Sequence, residues 1–277
     1  MFPGVFGFEW TAGNLIFLGI FNSVICLVLG AIAVAIVRGA RDFANGKQDE
    51  LRWDDDFEEL PPTARACRHA FTGEIKHRVC PNGFDCRECT PHSRLLERGD
   101  CVADLRAQER SASGFEIEAE CMYHRGHTWV REEGDGTVTV GLDDFASRLV
   151  GPPDDAELPA VGSRLVVNGS AWNLKRGSAT IRILCPVDGE VVATGGAGQG
   201  WYLRIRPLNG AMDTRHLLRG GEVSAWIANE MERLQLALSN SQLGASLADG
   251  GLPVQDFTAA NPEADWDSIY AEFLFGA

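Results

Sequence analysis

The run Leu15–Val37 contains no Asp, Glu, Lys, Arg or His. A stretch of that length forms a helix of roughly 35 Å at 1.5 Å per residue, enough to cross the hydrocarbon core of a bilayer with some tilt. In hydrocarbon the backbone must satisfy its own hydrogen bonds, so a transmembrane helix is expected over residues 15–37. A secretory signal peptide is the competing reading, but no basic segment precedes the apolar run. The flanks set the orientation. MFPGVFGFEWTAG carries one Glu and no Lys or Arg, whereas Arg38, Arg41, Lys47 and Arg52 follow the span. The positive-inside rule then leaves residues 1–14 as a short extracytoplasmic segment, anchored by Phe8 and Trp10, and places the bulk of the chain in the cytoplasm. The expected location is the cytoplasmic (inner) membrane of a bacterium, crossed once.

Residues 38–62 read as a juxtamembrane linker, in which Gln48–Pro62 is a helix or linker broken by prolines at Leu60-Pro61-Pro62. Residues 63–95 follow as a Cys-rich element with the spacing Cys67-x12-Cys80-x5-Cys86-x2-Cys89. Thiols in the cytoplasm stay reduced, so four close cysteines there point to thiolate ligands before disulfides. A tetrahedral Zn2+ site is the first expectation. An iron-sulfur cluster uses the same ligands, and buried free thiols are the third alternative. His69, His77 and His92 are available substitutes for one thiol, and Cys121-x2-His124-x2-His127 is a second, weaker metal pattern. Residues 96–122 read as a helical linker, with Leu95, Leu96, Val102 and Leu105 near helical spacing between Ser93 and Arg110.

From Tyr123 to Pro207 the chemistry changes. Short β-rich runs, Thr137–Val140, Arg164–Val167, Thr180–Leu184 and Glu190–Ala193, alternate with Gly, Pro and Asp turn signals, and only Leu142–Leu149 reads as helix. That pattern predicts a small β barrel or sandwich. Past it, Arg215–Leu238 carries Val223, Trp226, Ile227, Met231, Leu234 and Leu238 at helical spacing, which predicts a helix closing the domain of residues 123–240. The tail, residues 241–277, is acidic and aromatic, with too little sequence for its own core; it docks on its own chain or on another subunit.

Several segments of this stretch together resemble the glycine cleavage system H protein family. They are His127-Thr128-Trp129-Val130-Arg131, Thr139-Val140-Gly141-Leu142 with Asp144-Phe145-Ala146, Leu158-Pro159 with Val161-Gly162, Pro186-Val187-Asp188-Gly189-Glu190-Val191, and Gly200-Trp201. The resemblance implies a lipoyl-type antiparallel β hammerhead whose family function is to carry a lipoyl arm on a lysine eight residues before the hairpin proline. Counted back from Pro186, that position is Ser178, and a hydroxyl cannot form the amide that an amine forms with lipoate. Lys175, the only lysine after Lys76, lies three residues earlier, and an odd register slip would turn it to the opposite sheet face. Lipoate is therefore not expected as a cofactor.

The expected fold class is α+β: a single transmembrane helix, a small Cys-rich element, then a lipoyl-domain-like antiparallel β hammerhead or sandwich with a C-terminal helix. The net charge of −14 argues against nucleic acid as a partner, since phosphate recognition needs clustered Lys and Arg. No Ser-His-Asp order and no Gly-rich phosphate loop is found, because Gly195–Gly200 lacks the strand-to-helix context. The chain reads as a non-catalytic accessory subunit of a membrane complex, of a respiratory or electron-transferring kind, with other subunits and membrane lipid as partners. A lipoyl carrier modified on Lys175, or a redox relay through an iron-sulfur cluster, are the alternatives.

Overall fold

The structure is a computed structural model, and it describes residues 10–44, 47–98, 111–112, 114–208, 210–239, 248–249 and 252–275. Of the helix expected over Ser93–Arg110, the part beyond residue 98 lies outside the described residues. The chain divides into two units, Met1–Gln48 and Asp49–Ala277.

The first unit holds helix α1 (Ala12–Ala44). Its segment Ala12–Arg41 has a mean hydropathy of 2.7 over its most apolar window and none of that window is buried, so it is long and apolar enough to cross a membrane. Leu27, Val28, Leu29 and Ile36 are all exposed, which in water is an apolar surface without cover.

The second unit opens with α2 (Lys47–Glu59), a helix whose first residues reach back across the boundary. Trp53, Phe57 and Leu60 recur at spacings of four and three, and all three are buried. They join Ala64, Cys80, Phe84, Leu184 and Phe275 in a small second core. The segment read as a linker is therefore packed into the folded unit from Trp53 onward. After it come α3 (Arg68–Phe71), α4 (Thr90–Arg98) and the two-residue strands β1 (Ser111–Ala112) and β2 (Phe115–Glu116).

The β domain then runs β3 (Met122–His124), β4 (Thr128–Glu132), β5 (Val138–Leu142), α5 (Asp144–Val150), β6 (Asp155–Glu157), β7 (Arg164–Leu165), β8 (Ser170–Arg176), β9 (Ala179–Leu184), β10 (Gly189–Gly196) and β11 (Trp201–Pro207). Six strands form one antiparallel sheet in the order β3-β4-β5-β11-β10-β7, and three form another in the order β6-β8-β9. The registers Val130↔Val140 and Val140↔Leu203 set fully buried side chains opposite one another. Trp172 on β8 stacks on Tyr202 on β11 at 4.9 Å, so one aromatic pair ties the two sheets together. Gly141 is required by close approach: a Cβ there would lie 2.5 Å from the Trp129 ring.

Asp143 fixes the start of α5 and one core histidine together. Its carboxylate accepts from the Ala146 amide at 2.7 Å and meets His127 Nδ1 at 2.8 Å. His127, at φ +57°, is stacked between Phe145 and Trp226, each 4.6 Å away.

Helix α6 (Gly221–Ser239) closes the domain. It starts later than the periodicity predicts, because Leu218 is held extended: its N–H and C=O both bond the Tyr123 backbone, at 2.7 and 2.9 Å. The tail contributes β12 (Ala248–Asp249), β13 (Leu252–Pro253), α7 (Phe257–Ala260) and α8 (Trp266–Leu274). Asp256 and Asp265 cap the two helices, and Phe257, Ile269, Tyr270, Phe273 and Leu274 enter the main core. Of the two docking alternatives for the tail, the structure takes the chain's own β domain.

Across the seam between the Cys-rich element and this domain, Arg68 donates to Glu222 at 2.5 and 3.2 Å and to the carbonyls of Arg215 and Leu217 at 2.8 and 3.0 Å. Both side chains of the pair are under a tenth exposed. Removing one member of such a pair strands a buried charge, so Glu222→Ala is expected to cost about 3–5 kcal/mol in denaturant unfolding, whereas a paired Arg68→Met, Glu222→Leu replacement costs much less. Burial also pushes the His124 imidazole down to about 3, with His216 beside it acting in the same direction, and lowers His216 itself. The unfolded chain protonates these groups first, near pH 6.5, so stability falls as pH drops below that value, by up to about 1.4 kcal/mol per unit for each buried neutral histidine. Denaturant midpoints measured from about pH 7.5 down to about pH 5 check this, and a flat profile counts against it.

Candidate functional site

Strands β8 and β9 are joined by the two-residue turn Gly177-Ser178, closed by the pair Arg176↔Ala179. Such turns need a positive φ, and Gly177 supplies it at +57°. The tip is tied down from both sides. Asp154 accepts from the Gly177 amide at 2.7 Å, and Arg176 donates to Asp256 at 2.8 Å. Ser178 is exposed at the apex. Lys175 is not at the apex: it lies within β8, opposite Thr180 on one side and Asp155 on the other. Its ammonium meets Glu157 at 2.5 Å, and that contact raises the lysine pKa. The hairpin therefore presents an exposed hydroxyl at its apex and holds its one amine within β8.

The second constellation lies in the Cys-rich element. The amides of Cys67 and Cys80 donate to Arg78 and Arg65 at 2.8 and 2.7 Å around the bridge Ala66↔Val79. Cys86 and Cys89 follow on one tight turn, with the Cys89 amide on the Cys86 carbonyl. All four thiols are buried, and together they line a cavity of about 20 Å³ with Arg68, His69, His92, Arg125 and His216. Burial pushes the Cys86 thiol up to about 12 against the opposing pull of the Arg68 guanidinium, and raises Cys67 as well. As placed, no group of three or more His, Cys, Asp or Glu side chains among the described residues is arranged to hold a metal ion. The thiols share a cavity without converging on one point.

The histidines divide. His69 bonds Glu74 through Nδ1 and His92 through Nε2, the latter at 2.9 Å, so both are at the cavity wall. Burial lowers His92 to about 4. His77 is exposed and lines an outer groove instead, so it is no substitute ligand. Cys121, His124 and His127 do not form a site either. Cys121 contacts Glu118 at 3.4 Å, His124 Nδ1 accepts from the Gly126 amide at 3.1 Å, and His127 is committed to Asp143.

Sequence reasoning did not find Arg68, Arg125 or His216 at the cavity. Arg125 donates to the carbonyls of Ala64 and Ala66 and lies 4.1 Å over the Phe84 ring, while His216 Nε2 bonds the Pro186 carbonyl at 2.8 Å. Arg125 and His216 arrive from distant parts of the chain, and Arg68, although next to Cys67, is not a ligand type that the cysteine spacing signals.

Residues 121–229 match the family described as glycine cleavage H-protein. The glycine cleavage system H protein of Psychrobacter cryohalolentis is 36% identical over 106 residues, which is 34% of this chain and 84% of that protein. That of Chromobacterium violaceum is 36% identical over 115 residues, 35% and 90% of the two chains. That of Teredinibacter turnerae is 32% identical over 125 residues, 39% and 96%. The crystal structure of a glycine cleavage system H protein from Mycobacterium marinum aligns at 21% identity with a TM-score of 0.34, covering 40% of this chain and 98% of that one. Nearly whole relatives thus lie within the β domain and its closing helix, and through that region the chain belongs to the glycine cleavage H-protein family.

Proposed function

We propose that this chain is a non-catalytic, single-pass membrane accessory subunit that uses a non-lipoylated H-protein-like domain to contact other subunits of a membrane complex. The observation that carries this reading is Ser178 at the exposed tip of the β8–β9 hairpin. Lipoylation joins the acid to an amine, and the one amine nearby, Lys175, is three residues short of the apex and engaged with Glu157. The fold gives a rigid surface without the attachment atom, so binding is what remains for it to do. The α1 segment supplies the tether, and Arg38, Arg41, Lys47 and Arg52 on its C-terminal side favour a cytoplasmic domain.

The proteins it resembles are named as components of the glycine cleavage system, and a carrier role there needs an amine at the tip. Intact mass of the native chain is expected to show no lipoyl increment, while Ser178→Lys gains one when a lipoylating enzyme and lipoate are supplied. A lipoyl group on wild-type Lys175 overturns the proposal in favour of a carrier. For the tether, the full chain is expected to stay with membranes through alkaline carbonate washing and to keep its N-terminal residues, whereas removal of residues 1–44 releases it. Cleavage after the apolar run marks a signal peptide instead.

A further inference from the structure

The cavity bounded by Cys67, Cys80, Cys86 and Cys89 is better explained as a built site than as four packed thiols. Free cysteines behave as small hydrophobes, and hydrophobes do not call for guanidinium groups against them. Yet Arg68 and Arg125 both line this cavity. The charge of Arg68 is balanced by Glu222. That of Arg125 is not balanced by a contact of similar quality. Its ion-pair partner, Glu230, is 4.0 Å away and is itself bonded by Arg233 and by the Trp226 indole N–H, at 2.9 Å for the latter. The Arg125 side chain is only 3% exposed, and its Nε has no hydrogen-bond partner. A buried cation in that position lacks a close counter-charge. His216, also buried, lines the same cavity with Nδ1 unpartnered.

From these contacts we infer that the four thiols bind one zinc ion as thiolates, with Arg125 offsetting part of the negative charge that four thiolates leave on the complex. A cavity of about 20 Å³ has room for one water-sized occupant, and so for a single ion. The sulfur-only donor set favours zinc among common divalent ions. The sulfurs do not converge on one point, but each cysteine has one side-chain rotor, and a change of χ1 swings Sγ about a fixed backbone. The backbone is already held for this, by the Ala66↔Val79 bridge on one side and the Cys86–Cys89 turn on the other.

The ion's role would be to fasten the element to the domain. The element has little secondary structure of its own between α3 and α4, and its links to the β domain include two that start beside a cysteine. Arg68 follows Cys67 and reaches Glu222; Arg87 follows Cys86 and reaches Asp188 at 2.5 Å; Asn168 reaches Gly83 at 3.0 Å. Metal binding energy in such small elements is folding energy.

The test is elemental analysis of the full chain, purified in mild detergent without added metal. About one zinc per chain is expected, released stoichiometrically by an organomercurial thiol reagent and absent from the Cys86→Ser, Cys89→Ser double variant. Cys121→Ser, outside the cavity, is expected to keep its zinc. Wild-type protein that carries no zinc while four buried thiols titrate on unfolding overturns the inference whatever the variants do. So does stoichiometric iron with sulfide and a visible chromophore.

Discussion

The guanidinium of Arg68 is the contact on which the architecture of the second unit turns. It sits one residue after Cys67, is almost entirely buried, and spends its donors on Glu222 and two carbonyls that lead into α6. A charge removed from water at that depth is tolerable only when its partners are fixed, so the position of α3 is bound to that of α6. Glu222 lies in the first turn of α6, where the helix dipole also favours a carboxylate. One pair thus holds the Cys-rich element against the helix that closes the β domain. Arg87 on Asp188 repeats the link from the other end of the element, at the turn before β10.

Around that seam the chain's additions are not appendages. Helix α2 contributes Trp53 and Phe57 to the second core, and Phe275 enters the same cluster from the far end of the sequence. Arg182 on β9 bonds both Asp56 and the Phe275 carbonyl. The strand that leads away from the Ser178 tip is therefore clamped by segments the compact relatives are too short to align with. The H-protein-like domain is here the centre of a larger packed unit. Under the proposed function, the hydroxyl at the tip and the packed flanks both serve a surface that binds.

Much of this was legible in the residues. The uncharged run Leu15–Val37 lies within the apolar helix α1, and Leu142–Leu149 marked α5 to within two residues, because composition and period act locally. The hairpin tip was found by counting from Pro186, and the structure puts Ser178 at that apex. What failed to show did so for a physical reason. The start of α6 moved because Leu218 pairs with Tyr123, a contact between residues far apart in sequence. Trp53, Phe57 and Leu60 had helical spacing, but the partners that bury them lie at Phe84, Leu184 and Phe275. His77 shared its residue type with His69 and His92 yet points to an outer groove, since spacing does not say which way a side chain faces. The cavity's arginines and His216 come from three separate parts of the chain, and only the fold assembles them.

The central claim is that the Cys-rich element and the H-protein-like domain are one cooperative body. Native-state hydrogen exchange on the full chain in detergent measures this directly. The account predicts that the bonded amides of Cys67 and Cys80 open with the same free energy as those of Val140 and Leu203 in the main sheet, and lose protection together with them as denaturant is added. Fast exchange throughout residues 63–95 beside a fully protected β core would contradict it, and would return the element to the status of a loose attachment.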